Sequence, residues 1–326
     1  MKQIVKVLFL LIVVAAFTGC GNCRNSAVKS DTNHCTKQNS IYYWKTVFEL
    51  DSVELSFLQK HDIGRIYLRM FDVATEPDFL NGATQVVPIA TTKFISPIPD
   101  NVEIVPVTYI TIDALRAMSG KECEFAPLIV DRLLAMSSYN ECGEIKEVQI
   151  DCDWTKTTKD SYNKLCQIIK DSLQCKDIAL SITVRLHQLK EDAPPADKGV
   201  LMLYNTGALK NPETKNSILD IADVQPYLKS VEYAIPLDYA YPAFGWGVMF
   251  EDNKFVSIIS ATDSCATARG KQYIRYERPT ADEILSVKKL VEQNLGKPAC
   301  GNILYHLDTL QLKHYTDDEI NQFFSR

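Results

Sequence analysis

Residues 147–155 read Glu147-Val-Gln-Ile-Asp-Cys-Asp-Trp-Thr155, and the rest of the chain is best understood outward from them. Val148, Ile150 and Cys152 alternate with Gln149, Asp151 and Asp153, which is the period of two of a strand, and turn and helix signals follow. Asp151 and Asp153 therefore share one face. Carboxylates this close in an enclosed place repel, raise one another's pKa, or share a cation or a hydrogen-bond donor. The end of a strand at a functional site is the simplest setting for them.

A chain of 326 residues, 46% hydrophobic, can bury a large core, and its length suits one α/β barrel with insertions. The net charge of -6 is spread along the chain without a basic stripe or arginine cluster, so nucleic acid is not an expected partner. At the start, Lys2 and Lys6 precede an apolar run over 7–17, and Thr18-Gly19-Cys20 follows, the layout of a secretory signal. Phe17-Thr18-Gly19-Cys20 resembles a bacterial lipobox with Phe in place of the more usual Leu. That resemblance implies lipidation at Cys20 and a membrane-anchored lipoprotein of the cell envelope, at the outer membrane. The expected layout is a signal peptide over 1–19, a polar tether over 20–39 and a barrel over 40–326.

From residue 41 strand and helix patterns alternate. Expected strands are 41–48, 65–72, 102–109, the stretch at 147, 178–186, 200–205, 231–237 and 302–308. Expected helices are 51–61, 113–137 with a break near Gly120, 159–173, 216–228, 280–295 and 317–324. Two departures stand out: a Pro-broken β pattern at 84–94, read as a hairpin insertion after strand two, and an aromatic segment at 239–264, read as a hairpin turning at Gly245-Trp-Gly247 after strand seven. Eight strands separated mostly by helices predict an α/β fold, a (β/α)8 TIM-like barrel, and no Gly-rich phosphate loop follows the first strand.

In such a barrel function sits at the C-terminal ends of the strands. The residues expected there are Tyr43, Trp44, Arg69, Asp72, Asp151, Asp153, Trp154, Arg185, His187, Tyr204, Asn205, Asp238, Tyr239, Tyr241, His306 and Asp308. Rings, carboxylates, amides and arginines at one mouth suit a sugar, whose C–H faces stack while its hydroxyls take polar partners. Each ring is equally fit for the core, and Arg69 or Arg185 equally suits neutralising Asp151 and Asp153 inside the barrel.

Ile150-Asp-Cys-Asp-Trp154 resembles the fourth-strand motif of glycoside hydrolase family 18, the chitinases and endo-N-acetylglucosaminidases, where two aspartates two apart precede a catalytic glutamate by two residues. Met202-Leu-Tyr-Asn205 resembles that family's sixth-strand Met-x-Tyr-Asp, and Ile235-Pro-Leu-Asp-Tyr239 is weakly similar to its seventh-strand segment. From about residue 40 the chain is also similar to a group of bacterial, often Bacteroidetes, lipoproteins with a glycosidase-like barrel. The resemblance implies a glycan ligand whose own acetamido oxygen is the nucleophile, with Asp151 and Asp153 central and Tyr204 bonded to that group. Trp44, Arg69, Trp154, Arg185, Asn205, Asp238 and Tyr241 complete the expected binding set. Thr155, however, stands where the family has its proton donor, and a hydroxyl cannot replace a carboxylic acid of near-neutral pKa. Two expectations follow: a glycoside hydrolase with a relocated acid, or a barrel that binds a glycan or a protein without hydrolysis.

Ten cysteines, less Cys20 if lipidated, leave at least one unpaired in a monomer. Cys152 and Cys166 read as buried thiols, and Cys123 with Cys142 and Cys265 with Cys300 as pairs able to form after export. No His-x-x-His spacing occurs, and neither a cofactor nor a structural zinc is expected. The weaker alternative is a divalent cation on Asp151 and Asp153 with Asp72 or Asp308.

Overall fold

The computed structural model describes residues 37–77, 84–260 and 270–325. The signal and lipidation expectations around Cys20, and Cys265, lie outside the described residues. Eight strands alternate with the helical layer: β1 (Asn39–Tyr43), β2 (Ile63–Pro77), β3 (Glu103–Ile110), β4 (Glu147–Cys152), β5 (Ala179–Val184), β6 (Lys198–Met202), β7 (Leu237–Pro242) and β8 (Asn302–Tyr305). Each pairs in parallel with the next, and β1 closes the ring against both β2 and β8, with Ser40 opposite Ile303 and Tyr42 opposite Tyr67. The result is a closed (β/α)8 barrel.

Period-two alternation sorts each strand between two environments. On β4, Val148, Ile150 and Cys152 join the apolar layer under the helices, whereas Gln149 and Asp151 face the barrel interior. The interior is unusually polar. At its base Lys198 reaches Glu147 at 2.9 Å and Asp238 at 3.2 Å; above that Tyr42 donates to Gln149 at 2.6 Å; higher still Thr183 donates to Asp151 at 2.6 Å.

The helices are α1 (Ser52–Lys60), α2 (Ile112–Met118), α3 (Glu122–Tyr139), α4 (Lys159–Gln174), α5 (Ile221–Val224), α6 (Ala281–Leu295), α7 (Thr309–Leu312) and α8 (Asp317–Phe324). Asp51, Thr280 and Thr316 cap α1, α6 and α8, each with a glutamate at the third helical position completing the capping box. The break at Gly120 is real: its φ of +82° ends the α2 turn and lets α3 start anew.

Three expectations change. The helix over 216–228 shrinks to α5 and a 3-10 turn at Gln225–Tyr227, because the Asn216 side chain accepts from the amides of Ile218 and Leu219 and Ser217 is tied to Glu277. The seventh strand is not 231–237 but Leu237–Pro242, since 231–236 runs as an irregular loop into Pro236, which has no N–H for a ladder. Gly245-Trp-Gly247 does not turn. Instead Trp246–Glu251 is the central strand of a three-stranded antiparallel sheet with Lys254–Ser260 and Gln272–Glu277, and the turn falls at Asp252 and Asn253, both at positive φ. A Cβ at Gly247 would lie 2.9 Å from Ile274, so close strand packing explains that glycine. Thr84–Ile89 runs antiparallel to the outer end of β2.

Candidate ligand-binding site

Strand β4 delivers Asp151 inward as its penultimate residue, and the chain leaves the strand with Asp153 on the same side. Strand β5 arrives beside it with Thr183 and then Arg185. The Arg185 guanidinium donates through Nε to Asp153 and through Nη2 to Asp151 at 3.2 Å, so one cation spans both carboxylates. Asp151 is 4% exposed, while the side chain of Asp153 is 41% exposed and lines a cleft. Burial raises the Asp151 pKa, Arg185 opposes the rise, and Asp153, together with Asp72 more weakly, adds to it. Two inward aspartates are thus kept in a folded barrel by a shared arginine, which is the neutralising role considered for Arg185.

The cleft, about 290 Å³, is walled by Asp153, Arg185, His187, Tyr204, Asn205 and Tyr227. The Tyr204 ring lies 4.5 Å from that of Tyr305, and its hydroxyl contacts Met202 Sδ at 3.2 Å. Asn205 is exposed at φ +55°, a conformation asparagine tolerates. Along the adjoining rim the rings of Trp44, Tyr305, Phe244 and Trp246 follow one another at 5.4–5.9 Å between neighbours. Trp44, Tyr305 and Trp246 are each part-exposed. Trp246 is aimed by its Nε1 donating to the buried Glu277 at 2.8 Å.

The expected set divides. Asp151, Asp153, Arg185, Tyr204 and Asn205 come together, and Trp44 stands on the rim with the Arg69 guanidinium 5.9 Å from its ring centre. Arg69 holds Asp72, not Asp151, through two hydrogen bonds. Three other residues of the binding set are not brought to the mouth, and neither are Tyr43 and Tyr239, which are buried in the layer under the helices. Asp238 opens β7 at the base of the barrel, where it accepts from the amides of Cys300 and Gly301 and pairs with Lys198. Tyr241 points outward into the layer under the helices with no exposure, and Trp154 is buried there too, stacked on Tyr162 at 6.0 Å. The shift of the seventh strand explains the first two, because a strand ending at 237 would have put Asp238 at its exit. Period two explains Trp154, which follows Asp153 and so faces away from it.

Thr155 does not line the cleft. Its amide donates to Thr158 Oγ1 at 3.0 Å and its hydroxyl contacts that of Thr157, both within the turn that starts α4. His306 follows β8 and burial lowers its pKa to about 4, so it is neutral. Sequence reading missed Thr183, Tyr109 and Tyr305. Thr183 was visible as the residue two before Arg185 on the same face, and Tyr109 is the register partner of Asp151. Burial first, then Asp153 and Asp151, pushes the Tyr109 hydroxyl up to about 12, so it stays protonated as a donor beside the pair.

Cys152 and Cys166 are buried free thiols, as expected. Cys123 and Cys142 are also free and do not pair: Cys123 is exposed on α3 and Cys142 is buried after it. Cys300 is disulfide-bonded. Among the described residues no group of three or more His, Cys, Asp or Glu is placed to hold a metal ion.

The architecture is that of a TIM barrel. Among solved structures, the chain is similar to a chitinase from Chromobacterium violaceum ATCC 12472 (TM-score 0.56, 12% identity, 88% of this chain and 99% of that one). It is also similar to the GH18 chitinase ChiB from the chitin utilization locus of Flavobacterium johnsoniae (TM-score 0.51, 12% identity, 88% and 94%). A third likeness is to a class V chitinase mutant from Nicotiana tobaccum in complex with NAG4 (TM-score 0.54, 11% identity, 89% and 99%). At these identities the likeness is one of fold. No family profile and no curated protein matches the sequence.

Proposed function

We propose that this chain is an envelope lipoprotein, anchored through Cys20, whose barrel mouth binds a glycan without chitinase-type hydrolysis. The observation that carries this reading is the Arg185 bridge across Asp151 and Asp153. A general acid must hold a proton near neutral pH and reach the leaving oxygen. Asp153 reaches the cleft but its carboxylate is taken up by the Arg185 guanidinium. Asp151 has the raised pKa but lies beneath, and Asp72, across the mouth, is held by Arg69. Thr155 supplies no acid. What remains in the cleft are donors and acceptors, Asp153, Tyr204 and Asn205, beside a row of part-exposed rings, which is binding chemistry. A barrel of similar fold is seen in complex with NAG4, which supports a glycan as the ligand class.

The test is a glycan screen for both binding and turnover on the wild type, Asp153→Asn and Thr155→Glu. Binding without turnover, weakened by Asp153→Asn and with no turnover gained in Thr155→Glu, is the expected result. Robust wild-type turnover abolished by Asp153→Asn overturns the binding reading in favour of an enzyme with a relocated acid. For the anchor, Cys20→Ala is expected to release the domain from the membrane fraction. A wild type without acyl modification by mass spectrometry would refute it.

A further inference from the structure

The helical layer is thin on either side of β6. The connection before it carries only the 3-10 turn Leu186–Lys190, and the one after it only α5 and Gln225–Tyr227. A second cleft, about 460 Å³, opens in this gap between residues 189–193 and 229–234. Leu186, His187 and Tyr227 belong to the first cleft, so the same two segments wall both. Lys190 stands at the junction, its Nζ 5.6 Å from the centre of the Tyr227 ring.

The charges of this second cleft differ in how far they are already used. Glu191 is paired with Lys156 at 3.6 Å and Lys159 at 3.2 Å, and Asp192 with Lys159 at 3.1 Å. Among the described residues, Lys190 and Lys229 are exposed and make no ion pair, against a single unpaired carboxylate on the cleft wall, Glu232. The free charge along the cleft is therefore positive, although the chain as a whole is at -6. Two flexible ammonium groups on one open wall suit carboxylates spaced along a chain, and the cleft is of the size that small ligands occupy.

Resting on the reading of the mouth as a glycan site, we propose that the ligand is an oligosaccharide chain which continues past Tyr227 into this second cleft. There its carboxylate-bearing units lie against Lys190 and Lys229. The experiment is titration calorimetry on the full chain with three probes: diacetylchitobiose, chitohexaose, and a hexasaccharide alternating N-acetylglucosamine with N-acetylmuramic acid. The acidic hexasaccharide is expected to bind tighter than the neutral one at about 0.05 M salt, and to lose that advantage near 0.5 M. Replacing both lysines, Lys190→Ala with Lys229→Ala, is expected to weaken the acidic probe about three- to ten-fold and leave diacetylchitobiose unchanged. Both side chains are exposed, so the variant keeps the wild-type melting curve. If diacetylchitobiose binds but the acidic hexasaccharide gains nothing over chitohexaose, or the double variant does not weaken it, the extended groove is overturned while the mouth reading stands. If none of the three binds, both fall together.

Discussion

Arg185→Met tests whether one cation keeps the aspartate pair in the fold. In the variant, Asp151, 4% exposed, is left with the Thr183 hydrogen bond as its remaining partner, whereas the more exposed Asp153 regains water. Removing one member of a buried pair costs about 3–5 kcal/mol. Because the Arg185 side chain is itself 21% exposed and Asp153 more so, the lower figure of about 3 kcal/mol is the better expectation. For a domain of this size that lowers Tm by about 6 °C. The pH dependence is more diagnostic than the size. The Asp151 pKa is already raised, so between its unfolded and folded values the native state holds the extra proton and stability falls as pH rises through that window. Without Arg185 the folded value climbs and the window widens upward, so the deficit is small near pH 4 and full near pH 8. Melting curves across that range, with Arg185→Met/Asp151→Asn alongside, measure it. The double variant should recover most of the loss, since no buried charge remains. A deficit independent of pH, or no recovery in the double variant, refutes the reasoning.

Other outcomes are expected from the same structure. Lys198→Ala, which strands Glu147 and Asp238 at the barrel base, should cost about 3–5 kcal/mol at pH 7 without changing ligand affinity at the mouth, measured by denaturant titration and calorimetry. Burial works against the charge of Glu147, yet Lys198 and Arg65 hold its pKa below the usual value. Its stabilisation is therefore present above the unfolded pKa and lost as pH falls, so the Lys198→Ala deficit should shrink in acid. Native alkylation followed by mass spectrometry should label Cys123 and Cys175 and spare Cys142, Cys152 and Cys166 until unfolding. A fluorescence change on glycan binding should vanish in Trp44→Phe or Trp246→Phe and persist in Trp154→Phe, because Trp154 is buried under α4.

The fold was legible wherever local signals agreed. Helical spacing over 51–61, 280–295 and 317–324 announced helices that the structure caps at Asp51, Thr280 and Thr316, and Gly120 marked its break. Around β6 and β7 they disagreed. Residues 231–237 alternate as a strand should, yet Leu237–Pro242, with Tyr239 and Tyr241 on one face and Asp238 and Ala240 on the other, alternates as well. Pairing decides between them, because only the later segment sets Leu237 opposite Gly199 and Tyr241 opposite Leu304. That non-local choice moved Asp238 from the mouth to the base. The helix over 216–228 failed for a related reason: Glu277, sixty residues later, bonds both the amide and the hydroxyl of Ser217 and ties the start of that segment to a distant strand.

The candidate site shows the same boundary between local and non-local information. Spacing put Asp151 and Asp153 on one face, and the same period sends Trp154, expected beside them at the mouth, to the other; applied to Ser181, Thr183 and Arg185, it points all three into the barrel, Ser181 to Gln149 and the other two to the aspartates. Spacing could not say which arginine pairs with which carboxylate. Arg69 and Arg185 were equivalent in sequence, but Asp72 lies three residues after Arg69 on β2 and takes it locally, leaving Arg185 to β4. The pairing bears directly on chemistry. An arginine that bonds both aspartates occupies the one carboxylate facing the cleft, so restoring a glutamate at 155 addresses only part of what hydrolysis requires. The other part is that Asp153 must be free to turn toward a substrate, and in this barrel Arg185 holds it.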